Sequence, residues 1–245
     1  MSEQLSTSTQ TIDATSINDA TIHVELLGSF GTDRDIANGA WTSSLEQQKK
    51  EQRSDEDVAR VVRYLIENRH SSPIEQIAYR FYIKMPIFVS RQFMRHRLQS
   101  PNEMSGRYRS LTNEFLLIPD DVQKMAEKAG DPDLAQDWRD VHEAEFNFYD
   151  GRLTQYKKAM EEGKITNDEY KRIREILRGV LGTSFFTKVT TVFNLRSLAN
   201  FFRLRLDPHA QPEIQEVARQ MLELIEKEGS CPVAIRVLKE QNWAI

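Results

Sequence analysis

The chain has 245 residues, enough for one domain or two small ones with a proper core. A net charge of -4 and a pI of about 5.8 exclude a protein whose whole surface grips nucleic acid, while leaving room for a local basic pocket. Its single cysteine, Cys231, excludes internal disulfides and thiolate metal sites, and no apolar run approaches the roughly 20 residues of a membrane span.

Residues 1 to about 20 are rich in Ser, Thr and Gln. They carry too little apolar surface to order themselves, so a disordered polar tail is expected. They have neither an apolar core nor a basic start, so no signal peptide is expected and the cytoplasm is the default. "TIHVELLGSFG" reads as a strand, and "LEQQKKEQRS" as a solvated charged stretch. "SDEDVARVVRYLIENRH" reads as a helix capped by Ser54, with Val58, Val61, Val62, Leu65 and Ile66 on its buried face. "EQIAYRFYIKMP" alternates like a strand ending at Pro86, and "IFVSRQFMRHR" restarts as a short helix. "EFLLIP" suggests a short strand. Leu134 to Glu162 suggests a long helix, amphipathic through Trp138, Phe146, Phe148 and Tyr149. "NDEYKRIREILRGVLG" is a further helix capped by Asn167 or Asp168, and "TSFFTKVTTVFN" a strand. "LRSLANFFRLRL" and "PEIQEVARQMLELIEKE" are helices separated by Pro208. With no repeat and no linker, the expected fold is one mixed α+β domain over 21–245, a central and mostly antiparallel sheet flanked by long helices.

No phosphate-binding glycine loop, dinucleotide fingerprint or H-E-x-x-H motif is present, and no metal site is expected. Cys231 in "GSCPVAI" has no histidine close in sequence to lower its pKa, so a packing role is expected. The informative stretch is "RHRLQSPNEMSGRYRS", Arg95 to Ser110, with five basic residues around one carboxylate, Glu103. Gln92, Arg95 and His96 recur at helical spacing and can share one face. Guanidinium forks fit phosphate, and the Ser105-Gly106 turn can offer backbone N–H groups to the same anion. A solvated basic loop, or a basic patch on a nucleic-acid-binding module, are the alternatives on charge alone. Ser105 as a nucleophile lacks an adjacent base.

The run Arg95-His96-Arg97-x-x-Ser100-x-Asn102-Glu103-x-Ser105-x-Arg107-Tyr108 matches the signature of the flavin-dependent thymidylate synthases. Other stretches resemble that family in the same order. They are "RHSSPIEQ" with His70, Ser72 and Glu75, "RGVLGTSFFT" with Arg178, and "NLRSLANFFRLRLDPHAQPEIQ" near the C-terminus, so the resemblance runs from about residue 22 to 230. Two departures are Gln76 where the family often has His, and Leu181-Gly182 or its neighbours where it often has a Leu-Pro pair. The glycine is expected to loosen its turn.

The resemblance implies a homotetramer with shared active sites, with FAD between dUMP and the folate. FAD would be contacted by His70, Ser72, Arg95, His96, Arg97, Glu103, Asn194, Arg196 and Asn200. The dUMP would be held by Gln92, Phe93, Met94, Arg95, the run Glu103, Met104, Ser105, Gly106 and Arg107, and by Arg178 and Arg205. Arg107 and Arg178 suit the phosphate, and Arg205 would be the catalytic residue at the uracil edge, favouring loss of the N3 proton. In helical projection Arg205 lies opposite Arg196 and Asn200, so either the helix ends near Leu204 or its two faces serve different parts of the site. His209 is expected to be structural or near the site mouth. The implied reaction is reductive methylation: NADPH reduces FAD, 5,10-methylenetetrahydrofolate gives up its carbon, and dUMP becomes dTMP with tetrahydrofolate released. Neither nucleic acid nor membrane is implied as a partner.

Overall fold

A computed structural model describes residues 20–42, 52–107 and 109–244. The polar tail, most of the charged stretch at 45–54, and Tyr108 of the signature lie outside the described residues. The fold is a four-stranded antiparallel sheet, order β1-β2-β4-β3, surrounded by helices. The strands are β1 (His23–Phe30), β2 (Ala78–Pro86), β3 (Asn102–Glu103) and β4 (Phe186–Asn194). In β2, Tyr79, Phe81, Ile83 and Met85 are buried while Arg80, Tyr82 and Lys84 are not; in β4, Val189 and Phe193 are buried while Lys188, Thr190 and Val192 are not. This period of two marks a sheet with one core face.

The core face is covered by α1 (Asp33–Trp41), α2 (Asp55–Glu67), α7 (Leu195–Arg205), α8 (Pro212–Glu228) and α9 (Pro232–Glu240). α2 begins as expected: Ser54 accepts the Asp57 N–H at 3.2 Å. Val58, Val62, Leu65 and Ile66 are buried and Val61 is half-buried. α3 (Ile87–Phe93) follows Pro86 but stops at Phe93, short of Arg97. The long helix α5 (Leu134–Glu161) buries Tyr149, but Phe148 is 48% exposed and faces solvent under Arg152. α6 (Asn167–Leu177) is capped by Thr166, whose hydroxyl accepts the Glu169 N–H, so Asn167 is its first residue and not its cap. "EFLLIP" makes only the bridge Phe115–Phe185. The amphipathic α4 (Asp120–Ala129) buries no side chain. Among the described residues no helix is long and apolar enough to cross a membrane.

α1 and α9 are joined by one carboxylate. Asp33, at the start of α1, accepts the N–H groups of Val233 at 2.8 Å and Ala234 at 2.9 Å, in the first turn of α9. It acts as a cap supplied from outside the helix it caps. Asp33→Ala is expected to leave these N–H groups unpaired and to lower unfolding free energy by about 2–3 kcal/mol, measured by chemical denaturation; an unchanged midpoint would dismiss the cap.

Candidate active site

Residues 99–104 run beside β4. Ser100 N–H donates to the Val192 carbonyl at 3.0 Å, Met104 N–H to that of Lys188 at 2.8 Å, and the Thr191 hydroxyl to Gln99 Oε1 at 2.8 Å. The signature thus begins just past the end of α3, turns, and becomes the edge strand β3. Its two halves face different surroundings.

The first half lines a cavity of about 750 Å³ between the α3–β3 segment and α7. Six guanidiniums border it, those of Arg69, Arg95, Arg97, Arg196, Arg203 and Arg205, with no carboxylate among the lining residues. His96, Asn200 and Trp243 also line it. α7 runs through Arg205, so Arg205, Arg196 and Asn200 border one cavity although their helical directions differ. Arg196 is paired with Glu75. Arg203 donates to Asn200 Oδ1 at 3.0 Å. Arg205 Nε–H donates to His96 Nε2 at 3.0 Å. Arg69, Arg95 and Arg97 have no ion-pair partner among the described residues, which is a cavity short of negative charge.

His96 is 8% exposed and stands edge-on to Phe201 at 4.8 Å between centroids. Burial, reinforced by the Arg205 charge, lowers its pKa to about 4. The imidazole is therefore neutral at pH 7 and free to accept from Arg205. Below pH 6.5 the unfolded chain takes up a proton that the folded chain refuses until about pH 4. Stability from this group is complete above pH 6.5 and is lost as pH falls toward 4, by about 3 kcal/mol in total. Urea denaturation at pH 7.5 and 4.5, for wild type and His96→Gln, should show the wild type losing more; equal losses would contradict this.

The second half forms a separate cluster. The Arg178 side chain crosses Gly106, where an added Cβ would come within 3.2 Å of its Cδ and 3.3 Å of its Nη1. Arg107 pairs with Glu175 at 2.7 Å, and its carbonyl accepts from Arg174. The Ser105 hydroxyl accepts the Arg107 N–H at 3.2 Å, with no base bonded to it among the described residues. Glu103 Oε1 accepts from the Thr187 hydroxyl at 2.8 Å. The segment after Arg178 is fastened to α5. Gly182 N–H donates to Glu145 Oε2 at 2.9 Å, a bond a proline could not make, so the turn is tied where the glycine alone suggested loosening. Ser184 bonds His142, whose Nδ1–H donates to the Trp138 carbonyl at 2.7 Å.

Several expected site residues stand apart from the cavity. Gln92 does not share a face with Arg95 and His96: the helix ends at Phe93, Gln92 bonds Gln211, and His96 turns into the core. Phe93 is fully buried, its ring between Phe193 and Phe201. Asn194 spends its Oδ1 on capping α7, accepting Ser197 N–H at 2.8 Å. His70 is exposed and packs edge-on to Tyr64; Ser72 is exposed and Met94 half-buried. None of these six lines the cavity, and neither does any residue of the Arg178 cluster. His209 is exposed and bonds Asp207 at 3.0 Å. Arg69, Arg203 and Trp243 were not singled out in sequence. Arg203 could have been, since it stands three residues after Asn200; Trp243 carries no such signal.

Comparison with known proteins identifies the family. The sequence model of the family described as "Thymidylate synthase complementing protein" matches residues 25–233. A flavin-dependent thymidylate synthase of Pseudothermotoga lettingae is 35% identical over 209 residues, 85% of this chain and 86% of that protein. One from Thermotoga neapolitana is 34% identical, covering 85% and 87%. Among solved structures, the UMP/dUMP methylase PolB from Streptomyces cacaoi, bound with 5-Br dUMP, superposes with a TM-score of 0.69 at 26% identity, covering 90% of this chain and 96% of that one. Matched from β1 to the start of α9, this chain belongs to the flavin-dependent thymidylate synthase family.

Proposed function

We propose that residues 21–245 reductively methylate dUMP to dTMP, with 5,10-methylenetetrahydrofolate as carbon donor, NADPH as electron source and tetrahydrofolate as the released product. The observation that carries this reading is the six-arginine cavity without a lining carboxylate, in a chain of this family. Such a donor set fits a dinucleotide diphosphate. Arg95, Arg97, Arg196 and Asn200 would hold FAD there, with His96 fixed as a neutral acceptor. When bound, FAD supplies the redox chemistry that carries a hydride from NADPH to the one-carbon unit, so tetrahydrofolate leaves unoxidised.

Arg178 crossing Gly106 forms the phosphate end of the dUMP site, with Arg107 beside it. Arg205 would face the uracil, where its fixed charge favours the N3-deprotonated ring and makes C5 electron-rich. Two unit charges at 4 Å are worth about 4 kcal/mol at an effective dielectric near 20. The neutral His96 accepts the Arg205 Nε–H and so aims the guanidinium. Because the Arg178 cluster and the cavity are separate within one chain, we propose that complete sites form where subunits of a homotetramer meet.

No thiolate nucleophile is needed. Cys231 lies outside the cavity, and burial pushes its thiol up to about 12. Cys231→Ala should keep dTMP formation within about twofold of wild type; abolished turnover in a folded, flavin-bound oligomer would refute the nucleophile-free route. The reading itself is tested by the visible spectrum of the purified protein, light scattering, and dTMP formation from dUMP with the folate and NADPH. Flavin bands, a tetramer and turnover are expected. A colourless protein that binds polynucleotides and makes no dTMP would overturn it.

A further inference from the structure

α2 ends in a six-residue turn in which His70 N–H donates to the Leu65 carbonyl at 2.8 Å and Arg69 N–H to that of Ile66 at 3.0 Å. The residue between these bonds must enter the left-handed region, and glycine is its usual occupant. This chain follows that rule elsewhere: α4 ends at Gly130 with φ 93° and α8 at Gly229 with φ 76°. α2 instead places Arg69 there, with φ 58°. A side chain in that conformation is strained against its own backbone.

The strain is not scattered. Among the described residues only Arg69, Asn242 and Trp243 combine a side chain with positive φ, and Arg69 and Trp243 both line the six-arginine cavity. Local strain of this kind persists where it serves a site. Arg69 makes no hydrogen bond through its side chain and no ion pair among the described residues, whereas Arg196, Arg203 and Arg205 each have a partner. A glycine would close the same turn without strain. What the arginine adds is a cation at the cavity rim.

We propose that Arg69 is an affinity-determining residue for the dinucleotide, its guanidinium binding the diphosphate, and that the left-handed backbone is tolerated because it presents that charge to the cavity. The proposal rests on reading the cavity as the FAD site. Removing the strain and removing the charge should therefore act in opposite directions.

The test is FAD binding to cofactor-stripped protein, followed by quenching of flavin fluorescence at several salt concentrations, together with melting temperature without FAD. Arg69→Gly should melt about 2–4 °C higher yet bind FAD about tenfold or more weakly, with a shallower salt dependence. Arg69→Gln keeps the strain and loses the charge, so it should melt like wild type and bind as weakly as Arg69→Gly. Arg69→Lys should recover part of the affinity. If wild type binds FAD and Arg69→Gln matches it in affinity and salt dependence, this proposal fails while the reading of the cavity stands. If wild type itself does not bind FAD, both fall.

Discussion

Arg205→Ala is expected to lower kcat for dTMP formation by about a hundredfold or more, the usual loss when a charge aimed at a developing anion is removed. Negative charge on the uracil grows as C5 becomes nucleophilic, so this contact is stronger in the transition state than in the ground state and its loss appears in kcat. Arg205→Lys retains the charge without the planar fork that bonds His96 Nε2 at 3.0 Å, and should recover only part of the rate. A second readout does not depend on turnover. The Arg205 charge helps hold the His96 pKa near 4, so in Arg205→Ala the imidazole should titrate closer to its ordinary range, measured by NMR. Should Arg205→Ala raise KM alone, with flavin content unchanged, the activating role is wrong and Arg205 is another anion clamp.

Arg178→Ala should behave in the opposite way, raising KM for dUMP by about ten- to a hundredfold while leaving kcat within a few-fold. A charge-assisted bond of about 1.5–3 kcal/mol to the phosphate is used equally in ground and transition states. Gly106→Ala should cause a smaller loss of the same kind without touching a charge, because its methyl would stand 3.2 Å from Arg178 Cδ and push that side chain by a few tenths of an ångström. The two substitutions act on one contact, so the double variant should be little worse than Arg178→Ala. Full additivity in the double variant would show that the Gly106 turn and Arg178 serve different groups.

The strands β1, β2 and β4 and the helices α2, α5, α7 and α8 were legible because each carries its own period, whereas β3 is two residues long and lies in "QSPNEMSG", whose composition reads as a loop. Alternating Tyr79, Phe81, Ile83 and Met85 define β2, and Ser54 with its acidic first turn starts α2. The elements that escaped lack such a signal or carry the wrong one. In α9, Val233, Ile235 and Val237 alternate as in a strand. They are helical because Pro232 opens the first turn and Asp33, 200 positions from Val233, satisfies its N–H groups. α1, nine residues long with Gly39 within it, is held by Ile36 and Trp41 packed in the core.

The family was readable from residue types alone, since eight fixed positions between Arg95 and Arg107 carry its signature, but of the six arginines around the cavity Arg69 and Arg203 carried no such mark. Which of the site groups meet was set by the folding of distant segments together. His96 and Arg205 are 109 positions apart and bond, whereas Gln92, three residues from Arg95, turns to Gln211 instead. Helix ends and buried contacts are set by whichever distant segment fills the space. Arg69 borders the cavity from a left-handed φ that its residue type does not announce.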